Sequence, residues 1–126
     1  LATLTGAVVV SLGHVYAGLF SNDENLAVQL LKHGEKTNEP LWRMPLNQAF
    51  TDAMSSPIAD MKNCASGNVG AGSATAAAFL QEFIKEDVAW AHLDIAGVAF
   101  LDGEDFASTI GATGFGVRLL SDWLKS

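Results

Sequence analysis

Residues 73–99 read SATAAAFLQEFIKEDVAWAHLDIAGVA, and a change of pattern inside this stretch decides the fold class. From Ser73, a residue type suited to capping a helix, Ala76, Phe79, Leu80 and Phe83 recur at helical spacing and predict a helix to about Glu86. Ala89 to Ala99 then turns almost continuously apolar, with His92 and Asp94 as the polar exceptions, which is the character of a strand buried on both faces. The same alternation recurs outward from this stretch. Val15 to Phe20 predicts a short strand around Gly18. Ser21 and Glu24 have the spacing of a capping box ahead of Leu26, Leu30 and Leu31, so a first helix runs to about Lys36, with Gly34 near its end. Asn38 to Pro45 reads as a turn and an extended piece, because Pro40 and Pro45 bias their predecessors away from helix. Asn47 to Met54 allows a short helix with Phe50 and Met54 on one face, and Ser55 to Gly72 reads mainly as loop. Leu1 to Leu12 is small and β-branched, broken by Gly6 where a strand can end and a short helix begin. Leu101 to Ile110 reads as loop and Gly116 to Leu124 as a closing helix. Alternating strands and helices predict an α/β layered fold with a largely buried sheet.

The 126 residues amount to one domain, with 49% hydrophobic and 17% charged side chains arguing for a packed core over disorder. Seven basic against fourteen acidic residues, a net charge of -7, argues against nucleic acid as a partner, since that affinity comes from Lys and Arg neutralising phosphates. No apolar run approaches a bilayer span, and no signal peptide pattern opens the chain. The single cysteine, Cys64, cannot form an internal disulfide, which suits a reducing compartment and a cytoplasmic location. Leu1 is not a methionine and already looks core-like, so further sequence is expected upstream.

Each candidate for chemistry competes with a structural role. His14, His33 and His92 lack the local spacing of a zinc-binding helix, so structural histidines are expected. Asp60 and Asp94 lie among apolar or small residues, where a carboxylate must find partners. They read either as buried or half-buried groups bonded to nearby backbone or, less simply, as catalytic or metal-binding carboxylates. Ser66 and Ser73 have glycine neighbours but not the frame of a nucleophile elbow. Cys64 reads as a packing residue. Gly67, Gly70 and Gly72 precede a helix whose amides could hold an anion, but no Gly-Lys-Ser/Thr closes the run, so a flexible or close-packed loop is expected.

Three segments then carry a resemblance: Ala2-Thr3-Leu4-Thr5-Gly6-Ala7, Trp90-Ala91-His92-Leu93-Asp94-Ile95-Ala96-Gly97 and Gly111-Ala112-Thr113-Gly114. With Leu41-Trp42-Arg43-Met44-Pro45-Leu46, Ala59-Asp60 and Thr75-Ala76-Ala77-Ala78-Phe79-Leu80 between them, the chain resembles the C-terminal part of the cytosol (leucyl) aminopeptidases, peptidase family M17, over essentially its whole length.

The resemblance implies a three-layer αβα sandwich with a mixed, largely buried sheet of the zinc-exopeptidase type, present as its C-terminal portion. It also implies a hydrolase that removes N-terminal residues from peptides, with two divalent ions, zinc or manganese, lowering the pKa of a bridging water. The family's metal-binding carboxylates and its Asn-Thr-Asp-Ala-Glu-Gly-Arg motif do not occur in this sequence. No catalytic residue or metal ligand is therefore expected in this chain, and Asp60 and Asp94 fall to the structural role. The substrate-facing part does match. Thr3 and Gly6 would line the side-chain pocket, the Leu4 carbonyl and the Gly6 backbone would orient the substrate, and Ala96 and Ala99 would form the opposite wall. Asn63-Cys64-Ala65-Ser66-Gly67 departs from the family pattern by lacking Ile-Gly after the asparagine. The chain alone is expected to be inactive and to self-associate or need a partner piece. A split enzyme whose second chain supplies the metal site, and a non-catalytic module keeping the family's hexamer interface, are the alternatives.

Overall fold

The computed structural model describes residues 6–65, 69–101 and 110–126. Five helices and five strands occur among them: α1 (Ala7–Leu12), β1 (Ala17–Ser21), α2 (Glu24–Thr37), β2 (Leu41–Arg43), α3 (Gln48–Asp52), α4 (Gly72–Gln81), β3 (Ala91–Asp94), β4 (Phe100–Leu101), β5 (Gly111–Ala112) and α5 (Val117–Trp123). None of these helices is long and apolar enough to cross a membrane.

The main sheet has the order β2-β1-β3 and is mixed. β1 runs parallel to β2, with Ala17 opposite Leu41, and antiparallel to β3, with Gly18 opposite Asp94 and Phe20 opposite His92. The parallel pair needs a crossover, which α2 supplies. All five residues of β1 are buried, because both faces of the sheet are covered. On one face Ala17, Leu19, Leu41 and Leu93 pack with Ala27 and Leu30 of α2 and Leu119 of α5. On the other, Phe20 packs with Ala74 and Ala77 of α4. A Cβ on Gly18 would lie 3.2 Å from the Val8 side chain of α1. Three layers result, helix on sheet on helix, as the family resemblance implies. β4 and β5 form a separate antiparallel pair, Phe100 opposite Ala112 and Leu101 opposite Gly111.

Several local expectations change in the structure. Asp23, not Ser21, caps α2, its carboxylate accepting from the Leu26 amide at 2.7 Å. Ser21 is buried at the end of β1, where its hydroxyl donates to the Trp90 carbonyl at 2.7 Å and accepts from the Asp23 amide at 3.1 Å, tying the cap of α2 to the segment before β3. Helix α2 ends as expected near Lys36, and Gly34 lies where α2 meets the following turn, since a Cβ there would sit 2.7 Å from the Glu39 carbonyl oxygen. Ser73 lies inside α4, whose N-cap is Ala71 in the left-handed region. Helix α4 stops at Gln81, short of Glu86. Phe83 is exposed, so the apolar stripe runs past the surface it could pack on, and helices this short depend on such packing. β3 spans four residues, not eleven. Its end is set by Asp94, whose Oδ1 accepts from the Ala96 amide at 3.3 Å and bends the chain into a turn. Leu101 belongs to a strand, and the remainder of the predicted loop to Ile110 falls mostly outside the described residues.

Candidate functional site

The turn after β3 carries Ala96 and Ala99. Val98 and Ala99 both donate their amides to the Ile95 carbonyl, at 3.0 and 2.9 Å, which closes the turn. It is fastened on three sides. Towards the end of α1, His14 donates from Nδ1 to the Gly97 carbonyl at 2.7 Å, and a Cβ on Gly97 would collide with the Gly13 carbonyl. Only glycine admits that approach. Towards residues 111–114, Thr113 donates its hydroxyl to the Val98 carbonyl at 2.6 Å and its amide to the Ala99 carbonyl at 3.0 Å. Towards α4, the Asp94 carboxylate accepts from the Ser73 hydroxyl at 2.6 Å, both residues being buried. The first turn of α4 in turn touches α1, since a Cβ on Gly72 would lie 3.0 Å from the Ala7 Cβ.

Of the expected pocket residues, Gly6 is exposed at the head of α1, and Ala96 and Ala99 are half-buried in the turn. Thr3 and Leu4 lie outside the described residues, as do Ser66 and Gly67. Of the glycines expected in a flexible or close-packed loop, Gly70 is exposed with open space around it, and Gly72 opens α4 in close contact with Ala7. Asp94 is buried with hydrogen-bond partners, as its structural reading requires, whereas Asp60 is exposed, against the expected burial. Cys64 is also exposed, so it is not the packing residue expected.

His92 lies between aromatic rings, stacked 6.0 Å from Phe20 and 6.3 Å from Trp90. Burial pushes its imidazole below the ordinary histidine range, against the upward pull of the nearby Asp94 charge. It is thereby held neutral. His33 donates from Nδ1 to Asp122 at 2.6 Å, and Lys36 reaches the other oxygen of that carboxylate at 2.7 Å. These bonds, from Lys36 first and His33 second, hold the Asp122 carboxyl below the usual carboxylate range.

A metal pair does not fit these side chains. Among the described residues, no group of three or more His, Cys, Asp and Glu could hold a metal ion. His14, His33 and Asp94 already have the partners named above.

The model of the cytosol aminopeptidase family's catalytic domain matches residues 1–121. The chain belongs to the cytosol aminopeptidase family. A probable cytosol aminopeptidase of Rickettsia bellii is 54% identical over 124 residues, covering 98% of this chain and 25% of the relative. That of Rickettsia felis is 52% identical with the same coverage. A mutant tomato leucine aminopeptidase superposes with a TM-score of 0.85 at 41% identity, covering 98% of this chain and 23% of the other. The chain thus spans about a quarter of the length of the aminopeptidases it matches. The Ser73–Asp94 bond has no signal in the sequence, because 21 residues separate its partners and no local pattern links them.

Proposed function

We propose that these residues are the C-terminal part of the catalytic domain of a dinuclear-metal leucyl aminopeptidase, which hydrolyses N-terminal residues from peptides with leucine preferred. The observation that carries this reading is the catalytic-domain match over residues 1–121 in a chain one quarter the length of its relatives. In this reading the segment supplies substrate-pocket walls and core, and is inactive alone. The two ions, zinc or manganese, belong to parts of the enzyme outside these residues, the assembly is a hexamer and the location cytoplasmic.

Thr3, Gly6, Ala96 and Ala99 wall the side-chain pocket, with the Leu4 carbonyl and the Gly6 backbone orienting the substrate. Small walls leave volume for a leucine-sized group, and one methylene there is worth about 1 to 3 kcal/mol of discrimination. The test compares the full-length enzyme with its Ala99→Trp variant on leucine and alanine amides. A larger loss on leucine amide is expected; equal losses remove Ala99 from the pocket. Absence of hydrolysis by the metal-loaded full-length protein would favour the non-catalytic module. Native mass spectrometry finding a companion chain that carries the metals would favour the split enzyme.

A further inference from the structure

We infer that Asp94 is a positioning residue that fixes the two pocket walls relative to each other, acting through Ser73. The inference rests on the proposed pocket and names what sets its shape.

Asp94 is only 2% exposed, and its carboxylate spans two elements. Oδ1 accepts from the Ala96 amide at 3.3 Å, inside the turn that carries Ala96 and Ala99. Oδ2 accepts from the Ser73 hydroxyl at 2.6 Å, in the first turn of α4. A bond to an ionised acceptor at that distance is a strong one. The residue before Ser73 is Gly72, whose backbone lies against Ala7, and Ala7 follows Gly6 of the opposite wall. One helical turn therefore touches both walls: one through Ser73 and Asp94, the other through Gly72 and Ala7. The Gly97 contact with Gly13 and the His14 bond tie the turn to the far end of α1. The Val9 side chain also lies against Gly97, and Val8 rests on Gly18 of β1, so α1 is held along its length, and the α4 link adds a hold at Ala7, next to Gly6. In that link the Ser73–Asp94 bond is the hydrogen-bonded leg between the Gly6 end of α1 and the turn with Ala96 and Ala99.

The decisive measurement is the ratio of kcat/KM for leucine amide to that for alanine amide in the full-length enzyme, with KM and kcat resolved for each. Ser73→Ala removes one hydroxyl and is expected to lower the ratio at least fivefold, chiefly through a higher KM for leucine amide. Asp94→Asn keeps the shape but replaces the charge-assisted bond by a neutral one, and is expected to move the ratio about twofold in the same direction. It serves as the readout if Ser73→Ala does not fold. A lowered melting temperature with the ratio unchanged would make the pair a structural brace and overturn the inference. Ala99→Trp separates the two levels. If it shifts the ratio while the Ser73 and Asp94 variants do not, the pocket stands and only the positioning role falls. If it does not, the pocket reading itself has failed.

Discussion

On the face of the sheet covered by α2 and α5, Leu19, Leu41 and Leu93 meet Leu30 and Leu119, and charged groups latch the helices at the rim. Asp122 of α5 is held by His33 and Lys36 of α2. Glu39, 1% exposed, accepts from the Leu119 amide at 2.8 Å, while Arg118 stands 3.3 Å from its other oxygen in an ion pair not aligned as a hydrogen bond. On the face covered by α1 and α4, Phe20 is packed against Ala74 and Ala77, Ala7 and Val8 come against Gly72 and Gly18, and the polar groups Asp94 and His92 lie inside. Large branched side chains dominate the first face. On the second, one large ring, Phe20, sits among small residues of α4, and small residues at Gly18 and Gly72 let α1 come close. The proposed pocket lies with the second.

This contrast can be broken by changing volume on each face in opposite directions. Leu19 is fully buried between the strands and the α2 face, so Leu19→Ala is expected to cost about 2 to 5 kcal/mol in denaturant unfolding of the full-length protein. A loss below about 1 kcal/mol would mean the face is loosely packed. Ala77 is equally buried but against Phe20, so Ala77→Leu is expected to cost about 1 to 3 kcal/mol by overpacking. If it stabilises instead, the α4 face holds unfilled space.

The smallest effect sharpens the electrostatic side of the comparison. The folded protein keeps His92 neutral below its ordinary value of 6.5, whereas the unfolded chain takes up the proton there. The unfolded state then binds more protons, so His92 costs no stability above about pH 6.5 and costs progressively more as pH falls from there to its lower folded value. His92→Phe preserves an aromatic ring between Phe20 and Trp90, and is expected to flatten the loss of stability between pH 7 and pH 5. Parallel pH profiles for the two proteins would show that His92 titrates normally in the fold.

Some elements were legible because their signals are local. The stripe of Leu26, Leu30 and Leu31 locates α2, and alternation of strand and helix marks the α/β class. The boundary errors share one cause. Ser21 and Ser73 both have the chemistry of a cap, yet each hydroxyl is used across the fold, by the Trp90 carbonyl and by Asp94. The apolar run from Ala89 to Ala99 reports burial, and a buried turn is as apolar as a buried strand. Asp60 was misread for the converse reason, since small neighbours do not bury a carboxylate unless another element covers it.

By itself the sequence determined the α/β class, the position of the long helix and the segments that match the family, because periodicity and residue order are properties of the chain. Tertiary structure alone decided that Asp94 bonds Ser73, that Gly97 lies against the Gly13 carbonyl and that His92 stays neutral between two rings. Each of these depends on groups far apart in sequence meeting in space, where a hydroxyl finds its acceptor and a ring loses its water only after the layers have packed.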